Sequence, residues 1–186
     1  MKEYKFYGVD FKTELKLAII VGLIFIILWP AFIFFYYKLS GLEYLRWIPK
    51  SVFFGAMIIA LAIALISLHF LGKKFRKLWL LQIKDKKILI EYNKKKKEIN
   101  LDQIIKIIIN GGSELRYFTI ITSIEKIKIR LGTGVLAPFS KKKDLEEIDY
   151  FTKQLQPYLN QNFIKNDRRV RLSPPGTIKL TYTRKT

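Results

Sequence analysis

Apolar positions divide the chain into a front third of long uninterrupted runs and a remainder in which they recur in short periods. Leu17 to Tyr37 is 21 residues without a charge, and Val52 to Leu71 is 20 residues whose only titratable group is His69. At about 1.5 Å per residue, each run predicts a helix long enough to cross about 30 Å of hydrocarbon. The 14 residues between them carry Lys38, Glu43, Arg46 and Lys50 and predict only a turn. Residues 17–71 therefore read as a helical hairpin with spans 17–37 and 52–71. A cleaved leader has an apolar core of about 7 to 15 residues followed by small residues. The first run is longer, contains Trp29-Pro30 and ends in Phe34-Phe35-Tyr36-Tyr37, so an anchor is expected.

Behind Lys77 the period shortens to two. Leu78 to Lys84 and Lys87 to Asn93 flank Asp85-Lys86, a hairpin turn. Glu98 to Leu101, Ile104 to Ile109, Arg116 to Ser123 and Glu125 to Leu131 follow as strands, separated by Asn110-Gly111-Gly112-Ser113 and closed by Gly132-Thr133-Gly134. This predicts an antiparallel meander of five or six strands. Leu145, Ile148, Phe151, Leu155 and Leu159 then recur at helical spacing, with Ser140 as candidate N-cap, acidic residues in the first turn and Pro157 as an expected stop or distortion. The fold class expected is α+β, with a membrane hairpin, an antiparallel meander at 78–164 and one closing amphipathic helix. Residues 1–16 read as a cytoplasmic N-terminal segment. Residues 165–186, with Arg168, Arg169, Arg171 and Pro174-Pro175-Gly176, read as a basic flexible tail in which 177–183 has the option of adding a strand to an open edge.

Charge sharpens the picture. The chain carries a formal net charge of +19, and residues 73–186 alone hold 27 basic against 11 acidic side chains. Such a surface seeks anions: lipid headgroups, nucleic acid or an acidic protein. Basic residues flank both outer ends of the hairpin, and Lys73, Lys74, Arg76 and Lys77 follow the second span directly. The positive-inside rule then predicts both termini in the cytoplasm and residence in a cytoplasmic (inner) membrane. Those four residues and Lys84, Lys86, Lys87, Lys94, Lys95, Lys96 and Lys97 are the candidate anion-binding residues, the last four read as a lysine loop. Ala56, Ala60 and Ala64 recur every four residues, and Ala18 with Gly22 offers a small pair on the first span; these five are the candidate helix-packing residues.

Chemistry is sparse. One histidine at a span boundary and no cysteine argue against a catalytic site, a metal site or a cofactor. The predicted strands lack an exposed aromatic pair of the kind that stacks bases, which makes nucleic acid an unlikely partner.

The order of elements resembles that of bacterial membrane proteins in which a pleckstrin-homology-like (PH-like) domain follows a helical hairpin. The resemblance rests on Leu81-Gln-Ile-Lys-Asp-Lys-Lys-Ile-Leu-Ile-Glu-Tyr as the first β-hairpin, on Ile99-Asn-Leu-Asp-Gln-Ile-Ile-Lys-Ile, and on the closing helix from Lys142. It implies a half-open barrel plugged by a helix and used as an adaptor surface for lipid or protein. The expected function is a non-enzymatic adaptor at the cytoplasmic face, binding anionic lipid, a protein, or both. The rival expectation is an accessory subunit that works through its hairpin.

Overall fold

A computed structural model describes residues 2–41, 48–169 and 177–185. The N-terminal segment, read as separate from the sheet domain at 78–164, forms its strand β1 (Glu3–Asp10). Tyr4 and Phe6 are buried while Glu3 and Lys5 face out, the two-residue period of a half-buried strand. β1 passes into helix α1 (Phe11–Ser40) with no residue between them, and the Asp10 carboxylate caps the helix by accepting from the Thr13 N–H at 2.8 Å. Helix α2 (Lys50–Phe75) returns, and after the single residue Arg76 strand β2 (Lys77–Lys84) begins. β1 and β2 pair antiparallel with Gly8 opposite Lys77. The hairpin is thus an insertion between two neighbouring strands, and both of its ends lie at the same part of one sheet.

Both helices are long and apolar enough to cross a membrane. They exceed the apolar runs at both ends, α1 by 11–16 and 38–40 and α2 by 50–51 and 72–75. Lys38 and Lys50, expected in the turn, are helical; Glu43 and Arg46 lie outside the described residues. The faces in contact are unequal. Ala56, Ala60 and Ala64 are all buried, but α1 meets α2 with large side chains: Ile33 and Tyr37 are buried, and the Trp29 ring stands 4.9 Å from that of Phe53. Ala18 is exposed and a Cβ at Gly22 would touch nothing within 4 Å, so this expected small pair takes no part in the contact between α1 and α2. A shallow alanine face accepts bulky partners as readily as small ones.

Beyond β2 come β3 (Lys87–Tyr92), β4 (Lys95–Asn100), β5 (Ile104–Gly111), β6 (Leu115–Thr122) and β7 (Lys126–Gly132). Helix α3 (Lys142–Asn162) follows, then β8 (Phe163–Arg169) and β9 (Ile178–Arg184). The nine strands form one antiparallel sheet in the order β4-β3-β2-β1-β7-β6-β5-β9-β8. β1 pairs with β2 through residues 3–8 and with β7 through Val9 and Asp10, so it joins the two halves. α3 lays Leu145, Ile148, Phe151, Leu155 and Leu159 into a core that includes Tyr4, Phe6, Phe118 and Ile120. The Phe151 ring meets those of Tyr4 and Phe118 edge-on at 5.6 and 5.7 Å.

Three expectations change here. Ser140 is not the cap of α3: its hydroxyl donates to the Tyr7 carbonyl at 2.6 Å and accepts from the Gly132 N–H at 3.2 Å, tying the preceding loop to β1 and β7. The helix start is held instead by Asp144, whose carboxylate accepts from the N–H groups of Lys141 (2.6 Å) and Tyr7 (3.0 Å). Pro157 does not end the helix, which continues to Asn162 because Leu155 and Leu159 on its inner side stay in the core while Pro157 faces out. And the tail is not flexible at 165–169, which belongs to β8, while the option of an added strand at 177–183 is realised as β9. β9 pairs along β5, placing Tyr182 opposite Ile107 with both buried; the open edge of β5 supplies hydrogen bonds and a buried site that local composition does not reveal. Arg171 and Pro174-Pro175-Gly176 lie outside the described residues.

A candidate basic cleft beside the helical hairpin

The lysines flagged by the sequence do not form one patch. Asp85-Lys86 and Asn93-Lys94 are the two-residue turns at opposite ends of β3, all four residues in the left-handed region with φ between 46° and 65°. Both have positive φ at the two central positions, the geometry that matches strand twist in tight hairpins. β2 starts at the hairpin with Lys77 and reaches Lys84, opposite Lys87, seven residues on. At about 3.3 Å per residue, Lys84, Lys86 and Lys87 stand about 23 Å from the helix ends. β3 then returns, so Asn93-Lys94 lies back beside Lys77.

The expected lysine loop is therefore one turn residue, Lys94, followed by strand β4. The pleat divides the rest. Lys96 and Glu98 point to one face, where Lys96 pairs with Glu91 at 3.7 Å and Glu98 with Lys87 at 3.1 Å. Lys95 and Lys97 share the other face with buried Ile99 and look into a cleft of about 440 Å³. Its floor includes Trp79, Ile90, Tyr92 and Ile127; its rim adds Asp10, Phe11 and Lys12 at the start of α1, and Glu125, Lys126 and Lys128 at the start of β7.

The cleft carries five lysines against Asp10 and Glu125. Lys97 pairs with Glu125, and Lys128 with Glu14 at 3.7 Å while sitting over the rings of Phe11 and Tyr117 at 4.9 and 4.8 Å. Lys12, Lys95 and Lys126 form no ion pair among the described residues. Trp79 is 3% exposed, its ring stacks on Tyr92 at 3.8 Å, and its Nε1–H finds no acceptor among the described residues. Burial, with the Asp10 carboxylate second, pushes the Tyr92 hydroxyl up to about 12, so it stays a neutral phenol. The ammonium groups of Lys12, Lys95 and Lys126 are thus unpaired at the cleft, which gives it a positive field.

Of the other flagged residues, Arg76 stacks its guanidinium over Tyr7 at 4.8 Å and Lys77 lies over Tyr92 at 5.7 Å, while Lys73 and Lys74 are exposed at the end of α2. Lys12, Lys126, Lys128 and Trp79 were not singled out by sequence reasoning. The available signal was the even spacing of Lys126 and Lys128, which by itself says only that they share a strand face. Among the described residues, no three His, Cys, Asp or Glu side chains gather where they would hold a metal ion. In comparisons with protein families, curated proteins and solved structures, the chain matches none.

Proposed function

We propose that this protein is a membrane-anchored adaptor in which a PH-like barrel holds the headgroup of an anionic lipid at the cytoplasmic face. The observation that carries the reading is the position of the donor-lined cleft. Lys12 is on its rim and only five residues ahead of Leu17, where the uncharged stretch of α1 begins. Along a helix that is about 7.5 Å, the depth of a phosphate layer just outside hydrocarbon. The PH-like reading is supported by seven strands in two halves that share β1, followed by α3 against their common core, with the hairpin occupying the connection between β1 and β2. The basic flank at Lys73, Lys74, Arg76 and Lys77 supports placing the barrel in the cytoplasm.

Native mass spectrometry of the detergent-solubilised full chain tests the reading. With equal amounts of anionic and zwitterionic phospholipid, anionic adducts dominate, and the combined Lys12→Ala, Lys95→Ala and Lys126→Ala variant loses that preference. Equal retention of both lipids by the unmodified protein would overturn it. The rival reading, a subunit acting through its hairpin, drew on Ala56, Ala60 and Ala64; these face α1 within the chain, which removes its motive.

A further inference from the structure

We propose that the loop between β7 and α3, residues 133–141, is a third membrane contact: Val135 and Leu136 enter the edge of the acyl-chain layer while Lys141, Lys142 and Lys143 engage the phosphates. Val135 and Leu136 are 67% and 69% exposed, although the loop that carries them is tightly built. The Gly132 carbonyl accepts from the N–H groups of Phe139 (3.0 Å) and Ser140 (2.8 Å), the Ala137 N–H donates to Gly134 at 3.0 Å, and the Thr133 N–H donates to Glu114 at 2.9 Å. Two apolar side chains are therefore held out in water by a backbone fixed through its own hydrogen bonds, which is unfavourable for them.

The loop also has a defined depth. Ala137 and Phe139 form a buried cluster with Val9 and Leu17, with Leu71 and Phe75 packed against it. Leu17 and Leu71 are the outermost residues of the two uncharged runs. A Cβ at Gly72 would stand 2.8 Å from the Pro138 ring and 3.4 Å from that of Phe139, so the loop touches the helix where its charge-free stretch ends. The inner half of the loop is thereby fixed at the hydrocarbon boundary, and the exposed half is Val135-Leu136.

The lysines supply an independent reason. Residues 141–143 sit at the start of α3, where the helix dipole is positive and favours acids. All three are exposed and form no ion pair among the described residues. A cationic triplet in that position is relieved by an anionic surface, and a pair of apolar residues beside it completes the pattern of an interfacial anchor.

The proposal rests on the hairpin spanning the bilayer, and the test separates the two. The chain has no cysteine, so single variants of the full-length protein in anionic nanodiscs take one environment-sensitive fluorophore each. Ile26→Cys, exposed in the middle of α1, reports the span; Lys87→Cys reports the far turn; Leu136→Cys reports the loop. Lipids carrying a nitroxide near the headgroup end of the acyl chain should quench the label at 136 several-fold more than at 87, and aqueous iodide should do the reverse. Quenching at 26 by deeper nitroxides, with 136 matching 87, would overturn the loop contact and leave the hairpin reading intact. Protection of 136 from both quenchers would also overturn it, because protein would then cover the loop. Absence of quenching at 26 would overturn both readings.

Discussion

The two turns that bracket β3 differ little in chemistry and sit in different surroundings. Asp85-Lys86 and Asn93-Lys94 share length, backbone geometry and a lysine in the left-handed region, but one stands about 23 Å from the helix ends and the other lies beside Lys77, between Tyr92 and Lys95 of the cleft lining. At the far turn Lys87 meets Glu98, while Lys84 and Lys86 form no ion pair among the described residues; on the near side Lys96, Lys97 and Lys128 meet Glu91, Glu125 and Glu14, and Lys12, Lys95 and Lys126 of the cleft lining meet none. The helical-hairpin end brings together unpaired cations, an exposed apolar pair at Val135-Leu136 and helix ends joined to strands with at most one residue between them. A basic composition is spread over the whole chain, and position decides which part of it is used.

The largest expected effect lies at the joint. Gly72→Val drives a side chain into Pro138 and Phe139 and should destabilise the protein by about 1 to 3 kcal/mol, as overpacking does. Gly55→Val, where nothing lies within 4 Å, should be close to neutral, and thermal unfolding in detergent compares them. Equal melting temperatures would mean that the loop does not bear on α2.

The twin turns give the middle-sized effect. Glycine relieves the cost of a left-handed L-residue, about 1 kcal/mol, so Lys86→Gly and Lys94→Gly should both raise stability. Only Lys94→Gly should weaken retention of anionic lipid, by about 1 kcal/mol for one lysine near an anionic surface. Identical lipid retention in the two variants would erase the distinction between the ends.

The smallest effect is one of pH. The Tyr92 hydroxyl is raised to about 12 from an ordinary value of 10, so the fold favours its neutral form. Its contribution to stability is complete below pH 10 and is lost as pH climbs through 12. Tyr92→Phe should flatten that part of the alkaline slope in denaturant titrations, and an unchanged slope would place the hydroxyl outside the buried wall of the cleft.

Some of this was legible from residue order alone. The meander strands follow from their two-residue period, and each lies within a few residues of the expected stretch; the period of Leu145, Ile148, Phe151, Leu155 and Leu159 marks the inner face of α3. The cleft was legible only in pieces. The run at 94–97 is visible as charge, but which of its members face inward depends on the register of β4, and Lys126 and Trp79 arrive from other strands. β1 carried a local signal, Tyr4 and Phe6 alternating with Glu3 and Lys5, yet a strand needs a partner, and its partner lies on the far side of the hairpin. Strand β9 lies where 177–183 reads as able to add a strand to an open edge, but β8 escaped, and the edge that takes β9 is set by β5, which offers Ile107 to Tyr182.

What the sequence by itself determined is whatever depends on near neighbours. The two charge-free runs make helices of membrane length, the alternating segments make strands, and the flanking lysines mark the ends. The tertiary structure alone decided which strands become neighbours, and with that which lysines lose their acids. Long-range pairing inserts the hairpin between β1 and β2, gathers lysines of separate segments around one cleft, and packs Ala137 and Phe139 against Leu17 and Leu71 where the apolar runs end. The physical reason is that local periodicity constrains the direction of each side chain, whereas the surroundings it meets are set by contacts between residues far apart in the chain.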